Sequence, residues 1–189
     1  MKKILIVNGS PRRKGNSYAM GAYIADKLDG KAEVITFNIA EKNVKGCLGC
    51  GACKRQSVPT CVQKDDFEAL ISDIDNCDAM LVLGPVYFGQ FPAQLKAFLD
   101  RTYCFMDFKA KDLSMASRKD KKVAGYMFAG MGPAPVYTKM LEETLKGFGL
   151  AGFREYMARV TSGVNAPGSA MEKSEALEAA DEIVEWLLA

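Results

Sequence analysis

The stretch Lys3-Ile4-Leu5-Ile6-Val7-Asn8-Gly9-Ser10-Pro11-Arg12-Arg13-Lys14-Gly15-Asn16-Ser17 decides the fold. Its apolar run, Ile4 to Val7, shows no polar alternation, which is the pattern of a strand buried on both faces of a parallel sheet. The run breaks at Asn8-Gly9, so a first strand fits it better than a leader peptide. Gly9 and Gly15 open backbone conformations closed to other residues, and the chain between them can wrap an anion with its amide groups. Ser10, Asn16 and Ser17 add side-chain donors where a helix begins, and the helix dipole there favours a phosphate. The basic residues Arg12, Arg13 and Lys14 face that phosphate. The loop is not a Walker A sequence, because five residues separate Gly9 and Gly15 and Asn16 follows in place of Lys. Nor does it contain the G-x-G-x-x-G of a dinucleotide site.

Outward from this loop, strands and helices alternate. Asn16 or Ser17 caps a helix to about Leu28, and Ala32 to Phe37 is the second strand. Residues 41 to 64 form a long cysteine-bearing loop. Asp65 with Glu68 resembles a capping box for a helix to about Ile74, and Ala79 to Leu83 is the third strand. Pro92 leads a helix to about Tyr103, and the lysine-rich stretch Lys109 to Lys121 reads as a mobile connection. Lys122 to Phe128, Phe153 to Val160 and two further helices, near Val136 to Phe148 and Met171 to Leu188, complete the series. Five strands alternating with five helices predict an α/β fold: an open parallel sheet with helices on both faces. The 189 residues are expected to form one domain that buries about 70% of its unfolded surface. In such sheets ligands bind beyond the carboxyl ends of the strands. The informative loops are therefore those after strands one, three and four.

Composition narrows the function. A net charge of +2 gives no ground for nucleic acid or an anionic membrane as partner, and Arg118 to Lys122 reads as a solvated loop. No stretch approaches the ~20 apolar residues of a membrane span. Six cysteines without a recognisable signal sequence imply reduced thiols in the cytoplasm. Cys77 and Cys104 lie among apolar neighbours and read as core residues. The chain has no histidine, which removes Ser-His and Cys-His nucleophile pairs and any His-bearing zinc site.

Three further segments carry chemistry. Gly84-Pro85-Val86-Tyr87-Phe88-Gly89-Gln90-Phe91-Pro92 offers aromatic surface and close backbone approach to a flat heteroaromatic ring. Ala129-Gly130-Met131-Gly132-Pro133 can close the other rim of that pocket. Cys47, Cys50, Cys53 and Cys61 follow a C-x2-C-x2-C-x7-C spacing, with Gly46, Gly49 and Gly51 allowing a tight fold. That set suits a [4Fe–4S] cluster, free or reversibly oxidised thiols, or structural zinc. A phosphate loop beside clustered thiols points to redox chemistry.

These motifs, with Gln94-Leu95-Lys96-Ala97-Phe98-Leu99-Asp100-Arg101, resemble the NAD(P)H-dependent FMN reductase family over essentially the whole chain, most closely its iron–sulfur flavoprotein branch. The resemblance implies a flavodoxin-like sheet of order 2-1-3-4-5 and noncovalent FMN. Ser10, Arg12, Asn16 and Ser17 would hold the phosphate, with Gly15 in the same loop. Pro85, Val86, Tyr87 and Phe88 would border the ring, with Gly130, Met131 and Gly132 as backbone donors to its reduced form. The cysteines Cys47, Cys50, Cys53 and Cys61 would be the metal ligands. The implied activity takes a hydride from NAD(P)H and reduces a quinone, a flavin or another acceptor. The rival is an iron–sulfur flavoprotein electron carrier passing electrons between protein partners. A homo-oligomer, dimer or tetramer, is expected.

Overall fold

The computed structural model describes residues 1–189. Five strands, β1 (Lys2–Asn8), β2 (Ala32–Asn38), β3 (Ala79–Pro85), β4 (Lys121–Ala129) and β5 (Phe153–Ser162), form one parallel sheet of order β2-β1-β3-β4-β5. Between and after them lie α1 (Asn16–Leu28), α2 (Phe67–Asn76), α3 (Ala93–Arg101), α4 (Ala134–Gly147) and α5 (Ser174–Leu188). Both the sheet order and the helix series match the sequence expectation.

The period of two along β1 divides the core. Leu5 and Val7 join a cluster with residues of α2, α3 and α4, while Ile4 and Ile6 join one with residues of α1 and α5. Both sides of the sheet are therefore covered, as the apolar run requires. Because β1 and β3 are neighbours, with β2 beyond β1 and β4 beyond β3, the connections after β1 and after β3 run in opposite directions and separate there into a crevice.

Three local readings need correction. Asp65 does not form a capping box with Glu68: α2 starts at Phe67, Glu68 pairs with Lys64 at 2.8 Å, and both Asp65 oxygens are held by Arg101. The stretch 109–121 is pinned rather than free. Buried Ser114 donates to the Leu150 carbonyl at 2.7 Å, and Asp112 pairs with Arg154 and Lys119. Lys121 is fully buried, not solvated. Its ammonium donates to the Ile74 carbonyl at 2.8 Å and lies 4.6 Å from the Phe153 ring centre, so it closes the carboxyl end of α2. Burial pushes its pKa down.

Gly152 turns the chain into β5 with φ +86°, and a Cβ there would lie 2.0 Å from the Arg118 carbonyl oxygen. Gly152→Ala should lower the stability read from the urea midpoint by about 3 kcal/mol, combining left-handed strain with overpacking. Gly149→Ala, whose Cβ would meet only the Arg154 side chain at 3.9 Å, should stay within about 0.5 kcal/mol.

Candidate functional site

At the carboxyl edge of the sheet lies a cleft of about 240 Å³. Ser10, Arg12, Gly15, Asn16 and Ser17 form one end, and Pro85, Val86 and Tyr87 form the other. Phe128, Gly130, Val164, Asn165 and Pro167 complete it. The first loop is wound tightly: Ser10 N–H donates to Asn8 Oδ1 at 3.2 Å, Arg12 N–H to Ser10 Oγ at 3.1 Å, and Gly15 N–H to the Arg12 carbonyl at 3.1 Å. No side chain caps α1, and the Asn16 and Ser17 amides have no acceptor within the chain. The Ser17 hydroxyl also makes no bond within the chain, although the residue is only 2% exposed. This arrangement leaves donors and a helix dipole aimed at the cleft, which is what an anionic phosphate needs. The Arg12 guanidinium stands 6.0 Å from the Tyr87 ring centre and links the two ends.

Asn16 differs from the sequence reading. Its Nδ2 donates to the carbonyls of Val164 and Ala166 at 3.2 and 3.1 Å, and its Oδ1 accepts the Ala170 amide at 3.0 Å. The side chain fastens the loop after β5 to the phosphate loop, and only its backbone amide faces the cleft unpartnered. Phe88 also lies elsewhere. Tyr87 and Gln90 exchange two backbone hydrogen bonds of 2.9 Å around a two-residue turn, with φ +50° at Phe88 and +73° at Gly89. A turn that tight throws its tip outward, so Phe88 is fully exposed and off the cleft. Met131 is 79% exposed, and neither it nor Gly132 lines the cleft. The sequence reading missed Phe128, Val164, Asn165 and Pro167. The only local signal for the last three is the turn-forming run Gly163 to Gly168 after β5. A Cβ on Gly130 would meet Asn165 Oδ1 at 2.2 Å, so this glycine lets Asn165 bond the Gly130 carbonyl at 2.9 Å.

The four loop cysteines surround a second, smaller cavity of about 30 Å³, together with Arg101 and Cys104. Cys47 and Cys50 are exposed, Cys53 and Cys61 half-buried, and all are free thiols. Gly49 and Gly51 take φ of +63° and +68°, and the Gly49 amide donates to Cys47 Sγ at 3.4 Å. The Lys54 ammonium bonds the Met106 carbonyl at 2.6 Å and anchors the turn Ala52–Arg55. The donor set fits a thiolate-held metal in kind and number, although no three Cys, Asp or Glu side chains converge on one point. Cys77 and Cys104 are core residues as read, and burial pushes both thiols up to about 12.

Asp65 and Arg101 hold this loop to the body. Their side chains are 0% and 1% exposed and share two hydrogen bonds of 2.8 and 3.0 Å. The Lys45 amide donates to Asp65 and the Lys45 carbonyl accepts from Arg101, each at 2.9 Å. Burial raises the Asp65 pKa, but the Arg101 and Lys45 hydrogen bonds outweigh it and hold the carboxyl below its usual value.

The model of the NADPH-dependent FMN reductase family matches residues 2–136, and the chain belongs to that family. It is 37% identical over 101 residues to an iron-sulfur flavoprotein of Methanosarcina thermophila, covering 53% of this chain and 52% of that one. Over 102 residues it is 36% identical to an iron-sulfur flavoprotein of Archaeoglobus fulgidus, covering 53% and 45%. The chain thus spans about half the length of the curated relatives it matches. Among solved structures, an NAD(P)H:quinone oxidoreductase from Methanothermobacter marburgensis superposes with TM-score 0.75 at 14% identity, covering 97% and 95% of the two chains. An FMN-dependent NADH-azoreductase from Bacillus anthracis in complex with FMN gives 0.65 at 14% identity over the full length of both. At such identities these two establish the fold. No helix is long and apolar enough to cross a membrane.

Two expectations follow from this geometry. Asn16→Ala should speed hydrogen exchange at the Ala170 amide and across 164–170, read by mass spectrometry; unchanged exchange there would refute the fastening role. Because the folded pKa of Asp65 is depressed, its stabilisation is fully present above the unfolded value of 3.8 and is lost as pH falls through the lower folded value. The urea midpoint of the parent should therefore drop more steeply below pH 4 than that of Asp65→Asn/Arg101→Gln.

Proposed function

We propose that the chain is an FMN-dependent oxidoreductase that takes a hydride from NAD(P)H and passes the electrons to a quinone, a flavin or another small acceptor. The observation that carries this reading is the uncapped start of α1, with the Asn16 and Ser17 amides and the Ser17 hydroxyl unpartnered at one end of a cleft whose other end is Pro85 to Tyr87. The family match and the oxidoreductase structures of the same fold support it.

FMN, when bound, supplies the ring that exchanges hydride. The chain's own residues then have distinct tasks. Ser10, Ser17 and the first α1 amides hold the phosphate by charge-assisted hydrogen bonds, and Arg12 adds its charge. Gly15 lets the turn close, because any Cβ there would press on Arg12 at 3.3 Å. Pro85, Val86 and Tyr87 form a stiff wall for a planar ring, while Asn165 and Pro167 close the opposite side and exclude water. The exposed Phe88, Met131 and Val136 lie on or beside the loops around the cleft, which supports pairing of copies as a homo-oligomer.

The cysteine loop is proposed as the seat of an iron–sulfur centre, supported by the donor set around one cavity and by the names of the curated relatives. Loading must draw Cys47 and Cys50 inward, to the roughly 2.3 Å typical of metal–thiolate bonds. The glycines at 49 and 51 permit that movement.

Ser10→Ala/Ser17→Ala should weaken FMN binding by about 1–3 kcal/mol in a fluorescence titration, with folding intact by circular dichroism. Tyr87→Leu should alter flavin fluorescence and Phe88→Leu should not; the reverse pattern would overturn the placement of the ring. Steady NAD(P)H consumption with an artificial acceptor separates the enzyme from a pure electron carrier. Iron and sulfide content after anaerobic purification, with Cys50→Ala as control, tests the cysteine loop.

A further inference from the structure

Arg101 carries a hydrogen-bond donor that nothing in the chain uses. Its Nη1 bonds Asp65 Oδ2 at 2.8 Å and the Lys45 carbonyl at 2.9 Å, and its Nη2 bonds Asp65 Oδ1 at 3.0 Å. The guanidinium carbon lies 4.5 Å from the Phe67 ring centre, so the fork is clamped at its edge and across its face. Of the two N–H groups left over, one on Nη2 and Nε–H, the Nε–H is buried on a nitrogen that has no partner. A buried unpaired N–H on a cation is costly and calls for an explanation. Arg101 forms one wall of the cavity around Cys47, Cys50, Cys53 and Cys61. Burial lowers its pKa, while Asp65 and the nearby Cys61 sulfur raise it above the ordinary value.

We propose that Arg101 is the positioning residue of the cysteine site: clamped by Asp65 and Lys45, it presents Nε–H and a fixed positive charge to a metal-bound sulfur in that cavity. This rests on the reading of the loop as a metal–thiolate site. Two features make the role specific. The same residues that fix the guanidinium also fix Lys45, two positions before Cys47, so sulfur placement and charge placement are one event. The loop already contains an amide-to-sulfur bond, Gly49 to Cys47, so Arg101 would give the sulfur cage a second donor, from the protein body. Donors to ligating sulfur set both affinity and electronic character of thiolate centres.

The test titrates Co²⁺ into full-length, reduced, anaerobic protein and follows the sulfur-to-cobalt charge-transfer absorption. The parent should bind with such a band. Asp65→Asn/Arg101→Gln, which removes both buried charges together, should bind about 10- to 100-fold more weakly and shift the band to lower energy, because an undonated thiolate is more electron-rich. Lys54→Met loosens the same loop by freeing the Met106 and Tyr103 carbonyls without touching Arg101. It should leave the band energy at the parent value even where affinity falls. Equal affinity and an unshifted band in the double variant overturn the role of Arg101 while leaving the metal site standing. A shift equally present in Lys54→Met reduces Arg101 to a structural tie and also overturns it. Absence of any charge-transfer band in the parent overturns the metal-site reading, and this inference falls with it.

Discussion

The constraint on which the rest depends is that β1, β3 and β4 run parallel and are covered on both faces. Ile4 to Val7, Met80 to Leu83 and Val123 to Ala129 are buried throughout, and only at the carboxyl ends, at Pro85 and Phe128, do side chains of those strands border the cleft. Chemistry is left to the loops, and parallel strands put four of them at one edge. The phosphate loop, the turn after β3, the end of β4 and the loop after β5 meet there because the sheet has one direction, not because their sequences are near each other.

Within that edge, polar groups are divided between holding loops together and facing the cleft. Asn16 shows the division within one residue, with its side chain on the loop after β5 and its amide turned to the cleft. Asn165 does the converse from the far side, bonding Gly130 across a gap that only a glycine leaves open. The first loop and the last loop thus fix one another. A ligand in the cleft meets donors whose direction is set before it arrives, and preorganisation of this kind strengthens charge-assisted recognition.

The Asp65–Arg101 pair serves the cysteine loop as the sheet serves the cleft. A buried ion pair is a weak source of net stability, since desolvation offsets most of the attraction. Its value here lies in geometry: two carboxylate oxygens, one amide and one carbonyl lock a guanidinium between α2, α3 and the start of the loop. The loop itself stays open enough for Cys47 and Cys50 to reach solvent. A rigid anchor under a loop with two left-handed glycines suits a site that closes on its occupant.

The sequence by itself determined the fold class, the loop from Gly9 to Ser17 as one rim of the cleft, and the core status of Cys77 and Cys104. Each depends on local periodicity, on glycine freedom or on apolar neighbours, and those are written along the chain. Tyr87 and Pro85 were legible for the same reason, in a short aromatic loop after a buried strand. Only the tertiary structure decided the rest. Phe88 looks like its neighbour Tyr87 in sequence, but a two-residue turn with positive φ sends it outward. Lys121 reads as solvent-facing until α2 brings the Ile74 and Asp75 carbonyls within hydrogen-bond reach of its ammonium. Asn165 and Pro167 lie about 150 residues from the loop after β1 and reach it through the β1-β3-β4-β5 order and the Asn16 hydrogen bonds to the loop after β5. Asp65 looks like a helix cap and does accept the Phe67 amide at 3.3 Å, but it is chiefly a clamp because Arg101, 36 positions later, is buried beside it. Local physics sets which elements form; which side chains face a cavity depends on how those elements stack, and no single stretch of sequence contains that.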